Sequence, residues 1–349
     1  MTGPSKKKTV TPPRSVDLRC FAIVLMPVLI FLTHKFIGTH LMPRDLGVSD
    51  GIVKPGQDWL EAAGRYRFLA ASWLFGALSV LAAAMLCMTL LRPLAPATRI
   101  AAILTFLFVV LLAALPTLRD FGDAGGSQVY DRLGKDVFEN VLSRGTLKGC
   151  ADAADTWLMG TCGDAPVISM FAVVVDMMNI FAGLALGSII VGMILCLNDR
   201  DTRDIEEEAA LLAENLRHMR QQLYLSGLVL SFGMLYAASW IYWPLPLIAD
   251  AERSAYSAVL LSASLYTGTY FSLLMLSFYL PVAFILDTRI KRLASRADHA
   301  ELTGEPPDSQ SWRSERGLKE GVAEYLRAGF ALTSPILAAF AGGISPLAL

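Results

Sequence analysis

The sequence contains six apolar runs, each long enough to cross a lipid bilayer as a helix. A spanning helix needs about 20 predominantly apolar residues, and its backbone N–H and C=O groups must be satisfied within the segment itself. We therefore predict an all-α integral membrane protein, a polytopic helical bundle of six or seven transmembrane helices. The predicted spans cover residues 20–41, 66–91, 100–118, 167–197, 223–248 and 258–286.

The amino-acid composition agrees with this prediction. Hydrophobic residues make up 54% of the chain and charged residues 17%, whereas charged residues form about a quarter of a soluble domain. The basic residues flank the spans and form no separate patch, so we predict no nucleic-acid partner. Membrane lipid is the partner that the sequence does predict.

Lysine and arginine residues accumulate in alternate connections between the spans. The N-terminal segment is basic, the connection 92–99 carries Arg92 and Arg99 without an acidic residue, and further arginines follow the fourth and sixth spans. Short basic connections stay in the cytoplasm. We therefore predict a cytoplasmic N-terminus and a location in the bacterial inner membrane.

These features divide the chain into eight predicted regions. Residues 1–18 are expected to form a disordered basic tail, 119–166 an extracytoplasmic loop or cap, and 198–222 a cytoplasmic heptad helix. The other regions are transmembrane helices 1–3 (19–118), transmembrane helix 4 (167–197), transmembrane helices 5–6 (223–287), a cytoplasmic region (288–327) and an uncharged C-terminal segment (328–349).

The predicted cap contains two cysteines, Cys150 and Cys162. Because the charge pattern places this loop on the oxidising side of the membrane, we predict a disulfide bond between them. The alternative is a pair of unrelated thiols in a flexible loop.

A heptad pattern precedes the fifth span and predicts a helical stalk in the cytoplasm. Two partners fit its apolar seam: a second copy of the chain, which would give a homo-oligomeric coiled coil, or the extension of span six through residues 290–297. The seam consists of Ile205, Ala209, Leu212, Leu216 and Met219.

Asp176 interrupts a run that is otherwise almost entirely apolar, near the middle of the predicted fourth span. A carboxylate in hydrocarbon costs at least about 2.5 kcal/mol on insertion scales. Asp176 shares a helix face with Asn179, Gly183 and Gly187, and the two glycines match the spacing at which helices pack closely. We expect His34 to be its partner. Three roles stay open: a titrating group in a carrier, part of a channel path, or a neutral packing carboxylate.

The sixth predicted span is rich in hydroxyl groups. Hydroxyls at such density can line a wet path, or they can hydrogen-bond across helices. Four side chains approximate one stripe along this helix: Ser262, Thr269, Ser272 and Tyr279.

Residues 328–349 carry no charged side chain, although two prolines and a glycine pair interrupt them. A seventh span, a re-entrant hairpin and a helix packed on the cytoplasmic face are all compatible with this pattern. Just before it, Leu318, Val322, Leu326 and Phe330 form an apolar stripe, which predicts an amphipathic helix on a surface.

The sequence contains no Walker loop, dinucleotide fingerprint, HExxH or GxSxG motif. We therefore expect no enzymatic activity, no cofactor and no metal site. The leading hypothesis is a non-enzymatic oligomeric membrane protein with a signalling, assembly or membrane effector function. A channel or a proton- or cation-coupled carrier using Asp176 is the first alternative, and an intramembrane enzyme is the second. The sequence does not identify a ligand.

Overall fold

The computed structural model describes residues 13–41, 58–119, 166–200, 204–243, 245–300, 309–318 and 321–344. These residues form α-helices, two segments of 3-10 helix and the connections described between them. The helices are α1 (Leu25–His40, preceded by a 3-10 turn at Leu18–Val24), α2 (Asp58–Leu90), α3 (Pro96–Arg119), α4 (Pro166–Leu195), α5 (Ile205–Tyr242), α6 (Asp250–Ala300, preceded by a 3-10 turn at Leu245–Leu247), α7 (Ser309–Glu315) and α8 (Val322–Ile344).

Six of the described helices, α1 to α6, are long and apolar enough to cross a membrane. The all-α prediction and its six long apolar helices are confirmed at this level. α1, α2 and α3 turn large apolar side chains outward, among them Leu29, Trp73 and Leu104. An outer surface of this kind fits a hydrocarbon environment better than water.

α4 and α5 form the centre of the bundle. α4 packs against α2 and α3, whereas α5 packs against α2, α6 and α8, and α1 packs on α6. Every apolar residue of α4 and its C-terminal turn from Ile189 to Leu197 is buried. These two helices therefore carry most of the apolar core.

An extended segment at the start of the described chain, residues 13–17, crosses one end of the bundle; we call it the N-terminal strap. Ser15 and Asp199 exchange two backbone hydrogen bonds of 2.9 and 2.7 Å. On its other side, the Arg14 N–H donates to the Pro93 carbonyl at 3.1 Å, and Arg14 accepts from the Ala95 N–H at 2.8 Å. The strap thus joins the α2–α3 connection to the α4–α5 connection.

The strap corrects the last part of the predicted disordered tail of residues 1–18, of which residues 1–12 lie outside the described residues. Residues 13–17 are held by hydrogen bonds, and Leu18 begins a helical turn. The physical reason is that two helix connections offer backbone N–H and C=O groups that need partners, and an extended strand satisfies them. We call this end of the bundle, where basic connections meet, the basic face.

α5 is one continuous helix of 38 residues. Asp204 caps its N-terminus by accepting from the Glu206 N–H, and three glutamates in the first turn complement the helix dipole. At 1.5 Å per residue α5 is about 57 Å long, almost twice the roughly 30 Å of a bilayer core. Because Glu214 already pairs with Arg14 of the strap, only the turns before it extend beyond the basic face. We call the first half of α5, up to Gln222, the stalk.

The stalk seam is filled by the same chain. Ala209, Leu212, Leu216 and Met219 are buried and Ile205 is half-buried. They share one apolar cluster with the extension of α6, in which Ile290, Leu293 and Ala297 are also buried. Of the two partners that the heptad allowed, the structure contains the intramolecular one.

α6 is longer still, with 51 residues and one internal proline, Pro281. Its extension is tied to α5 by an ion pair between Arg296 and Glu208. α7 closes the far end of the stalk: Trp312 is buried beneath Arg316, which pairs with Glu206 of α5.

α8 is a single helix of 23 residues that continues through Pro335, so the described C-terminal residues do not form a hairpin. Three glycines let it approach its neighbours closely. A Cβ at Gly268 of α6 would lie 2.9 Å from the Ala339 Cβ, and one at Gly342 would lie 2.8 Å from the Ala238 Cβ. On α5, Gly227 accepts a hydrogen bond from the Ser334 hydroxyl at 3.3 Å.

The predicted apolar stripe before and within α8 does not form one surface. Leu318 is buried and precedes the helix, whereas Val322, Leu326 and Phe330 are 61–77% exposed. α8 turns Val322, Phe330 and Phe340 outward and buries Ala339 at its closest contact with α6, where the small side chains allow close packing.

The predicted disulfide bond and most of the predicted extracytoplasmic cap lie outside the described residues. Cys150 and Cys162 both belong to the 120–165 segment, as does almost all of the predicted cap. The cysteines that the structure describes, Cys20, Cys87 and Cys196, are free thiols.

Candidate functional site

A central cavity of about 190 Å³ lies within the bundle. Each of the helices α1 to α6 contributes to its wall. The wall is mainly apolar and aromatic, and a small number of polar side chains interrupt it. The polar side chains that the following paragraphs use are His34, Asn179, Tyr266 and Thr267.

His34 of α1 is held between two tyrosines of α6. Its ring is stacked on Tyr270, with ring centres 3.8 Å apart and 9° between the planes. Its Nδ1 lies 3.2 Å from the Tyr266 hydroxyl. This contact is what attaches α1 to α6 at the cavity, and it orients the imidazole at the wall.

α4 contributes the polar face that contains Asp176. Asn179 and Gly183 line the cavity directly, and Asp176 lies one turn earlier, half-buried and engaged in an interaction of its own. The predicted pairing of Asp176 with His34 stays a prediction. Among the described residues that line the cavity, the charged side chain is that of Lys35 of α1.

The two predicted packing glycines of α4 lie against α3. A Cβ on Gly183 would come 2.9 Å from the Ala113 Cβ, and a Cβ on Gly187 would come 3.1 Å from the Val110 Cγ2. Neither position leaves room for a side chain, so α3 and α4 approach as closely as the small-residue spacing predicts. This close approach fixes the depth at which Asn179 reaches the cavity.

The hydroxyl stripe predicted on α6 does not line the cavity. Ser262 and Thr269 are exposed, and each donates to the carbonyl four residues earlier, at 2.8 Å. Ser272 is buried and Tyr279 half-buried, and neither reaches the cavity wall.

The face of α6 that lines the cavity is offset from the predicted stripe and contains Tyr266, Thr267 and Tyr270. Ala263, one turn before them, completes it. Ala263 is the sequence signal that could have identified this face, because a small residue one helical turn before Thr267 leaves space for a cavity.

Aromatic residues of α5 form the opposite wall. Tyr236 and Trp240 line the cavity and are 7% and 6% exposed. They are supported from behind by Phe68 of α2, whose ring centre lies 5.1 Å from that of Trp240. Aromatic pairs at such distances are stabilised beyond their burial alone, so this wall is rigid.

Metal binding has no support among the described residues: no group of three or more histidine, cysteine or acidic side chains within them could hold a metal ion. Comparison with known proteins gave no match to a family model, a curated protein or a solved structure.

Proposed function

We propose that the protein is a non-enzymatic membrane transport protein, a channel or carrier, that binds a small solute or cation in the central cavity. One observation carries this proposal: the helices α1 to α6, which among the described residues are long and apolar enough to cross a membrane, all contribute to the wall of that cavity. Transport proteins commonly hold their substrates where the spans converge near the bilayer midplane.

The chemistry of the wall supports the proposal. Thr267 lines the cavity and is 5% exposed, and its buried hydroxyl has no hydrogen-bond partner among the described residues. A buried polar group without a partner costs about 1–3 kcal/mol, and a solute or its water would remove that cost. The volume is sufficient, because a dry cavity of about 150 Å³ holds a benzene-sized molecule.

The aromatic walls favour two kinds of solute. The ring faces of Tyr236, Trp240 and Tyr270 can attract a cation, and they equally favour the apolar body of a small organic molecule. Asn179 and Thr267 would then fix the orientation of its polar end.

The hypothesis of an oligomeric signalling, assembly or effector protein loses its main support. It depended on a heptad seam that is free to meet a second copy, and Leu212 and Leu216 of that seam are buried within the chain. Homo-oligomer formation itself stays a prediction.

We propose further that the bundle lies in the bacterial inner membrane with its basic face in the cytoplasm. α8 would be a seventh span, since it runs beside α5 from Tyr224 to Ala238 and turns Phe330, Leu337 and Phe340 outward. Seven spans place the end of α8 outside. A phosphatase fused after residue 349 should therefore be active and a fluorescent-protein fusion dark; the reverse pattern would exclude the seventh span.

Transport is tested with the full-length protein in liposomes. The flux of protons, of sodium and potassium ions, and of small neutral solutes is measured with internal dyes and by osmotic swelling. We expect flux of at least one of these probes above that of protein-free liposomes, and a reduction of roughly tenfold in Thr267→Val, because one hydrogen bond to the solute is lost.

Thr269→Val is the matched control. Thr269 lies on the same helix, but its hydroxyl is exposed and bonds to Leu265, so its replacement should leave the flux unchanged within about twofold. Absence of flux for every probe, or an equal loss in Thr269→Val, would reject the central cavity as a transport site.

A further inference from the structure

A second cavity, of about 150 Å³, lies at the basic face. It is enclosed by the N-terminal strap, the C-terminal turns of α2 and α4, and the stalk part of α5. We call it the basic-face cavity. Among its lining residues are Arg14, Arg92, Asn198, His218 and Gln222, and no carboxylate is among the described residues that line it.

The charges around the basic-face cavity do not balance. Arg14 donates two hydrogen bonds to Glu214, at 3.0 and 2.8 Å, and Arg92 approaches the same carboxylate at 3.4 Å. Two guanidinium groups thus share one carboxylate, which lies behind the cavity wall. An excess of positive charge is left facing the cavity.

His218 adds a further possible donor beside the same carboxylate. Its Nε2 lies 3.5 Å from Arg92 Nη1 and 4.0 Å from Glu214. Burial and the neighbouring Arg92 lower the pKa of His218. An anion in the cavity would oppose both effects, and the imidazole could then donate a hydrogen bond to it.

Two amides form the buried end of the cavity. Asn198 and Gln222 are 7% and 8% exposed. The Asn198 Nδ2 donates to the Leu195 carbonyl at 2.9 Å, but its Oδ1 has no hydrogen-bond partner among the described residues. Gly192 makes room for Gln222, since a Cβ there would lie 2.9 Å from the Gln222 amide.

From this arrangement we propose that the basic-face cavity binds a phosphate group, carried either by a lipid headgroup or by a free phosphate ion. Two guanidinium groups match the oxygens of a phosphate, which they bind with short charge-assisted hydrogen bonds. The unpartnered Asn198 Oδ1 accepts from a hydroxyl, which both a protonated phosphate and a glycerol headgroup supply.

Both sources can reach the site. Met88 and Arg92 are exposed in and just after the last turn of α2, where a lipid headgroup would lie beside the helix. The stalk side of the cavity faces the medium, from which a free phosphate ion would enter. In either case the ligand would bridge Arg14 of the strap and Arg92 of the α2–α3 connection.

The site is tested by thermal unfolding of the full-length protein in dodecyl maltoside, an uncharged detergent without phosphate. In one arm inorganic phosphate is titrated at constant ionic strength. In the other, phosphatidylglycerol is compared with diacylglycerol, which has the same acyl chains but no phosphate. We expect at least one phosphate-bearing probe to raise the midpoint of unfolding, and diacylglycerol to leave it unchanged.

Arg92→Gln should weaken binding of the effective probe roughly tenfold or more, because one charge-assisted hydrogen bond is lost. Gln222→Leu, which leaves every charge in place, should also weaken it, and both variants are first shown to unfold cooperatively without the probe. Arg217→Gln is the matched control, since Arg217 is exposed beside His218 but does not line the cavity.

The titration that stabilises the protein identifies the source of the phosphate group. A response to inorganic phosphate identifies a free-ion site, and a response to phosphatidylglycerol alone identifies a lipid-headgroup site. If neither probe stabilises the protein, or if Arg217→Gln weakens binding as much as Arg92→Gln, the proposal is wrong.

Discussion

The imidazole of His34 lies nearly parallel to the ring of Tyr270, with their centres 3.8 Å apart. This stack joins α1 to α6, and α1 makes most of its interhelical contacts with α6. α1 therefore depends on a small number of side chains for its position beside the cavity.

Removing the Tyr270 ring should destabilise the bundle. Tyr270 is 8% exposed, and truncating a buried aromatic residue to alanine costs about 3–5 kcal/mol. Tyr270→Phe retains the ring and should cost less than about 1 kcal/mol. Denaturant unfolding in detergent measures both values, and equal losses in the two variants would show that the hydroxyl, not the stack, is what matters.

Asp176→Asn separates a titrating carboxylate from a packing one. We expect it to abolish proton-coupled flux in liposomes while the protein still unfolds cooperatively, because asparagine keeps the size but cannot carry the proton. Asp287→Asn, an exposed acid of α6 paired with Lys291, serves as the control. If Asp176→Asn leaves the proton-coupled flux unchanged, Asp176 has a packing role and does not carry the proton.

The stalk seam predicts how Leu212→Ala affects both the stability of the protein and the mass of the extracted complex. Leu212 is 4% exposed within its own chain, so Leu212→Ala should lower the free energy of unfolding by about 2–5 kcal/mol. The mass of the extracted protein, measured by native mass spectrometry, should not change. A loss of mass corresponding to dissociation would instead place a second copy on the seam.

Gly268 tests the docking of α8. A Cβ at this position would lie 2.9 Å from both the Ala339 Cβ and the Pro335 carbonyl oxygen, so Gly268→Ala should cost about 1–3 kcal/mol. A Cβ at Gly329 of α8 would meet no atom of another described element within 4 Å. Gly329→Ala should therefore be neutral or stabilising, since alanine favours the helix. Similar effects of the two substitutions would argue against close packing of α8.

The ion pair at the strap predicts a pH dependence. The hydrogen bonds from Arg14 hold the pKa of Glu214 below its ordinary value of 4.5. The stabilisation is therefore complete above pH 4.5 and is lost as the pH falls through the lower pKa of the folded state. Glu214→Gln should lower the free energy of unfolding at pH 7 by about 1 kcal/mol or less, since the pair is partly exposed.

The difference between wild type and Glu214→Gln should then shrink as the pH is lowered below 4.5. Arg217→Gln, on the exposed side of the same helix turn, should show no such convergence. A difference that stays constant with pH would mean that Glu214 contributes through packing and not through its charge.

The helices could be predicted from the sequence because a long apolar run has few alternatives. The heptad in the first half of α5 likewise predicted a helix that continues into the apolar run after it. The partner of that helix could not be predicted. An apolar seam is equally satisfied by a second copy and by α6, and the choice depends on where the Arg296 end of α6 lies in space.

The cavity face of α6 could not be read from its hydroxyl groups. The hydroxyls of Ser262 and Thr269 bond to carbonyls of their own helix, so they carry no information about which face is inward. The packed face of α8 could not be predicted from its large apolar residues either, because Phe330 is large and apolar yet 67% exposed. In a hydrocarbon environment large apolar residues need not face the core, and small residues identify the packed face.

Pro281 gives the two long helices different mechanical properties. α6 lacks one backbone hydrogen bond there, because proline has no N–H to donate to the Ser277 carbonyl, and this position lies between the stalk and the cavity. α5 has no proline along its 38 residues. A force applied at the stalk tip would therefore bend α6 at this joint, while α5 would act as a rigid lever and carry the displacement to the aromatic wall at Tyr236 and Trp240.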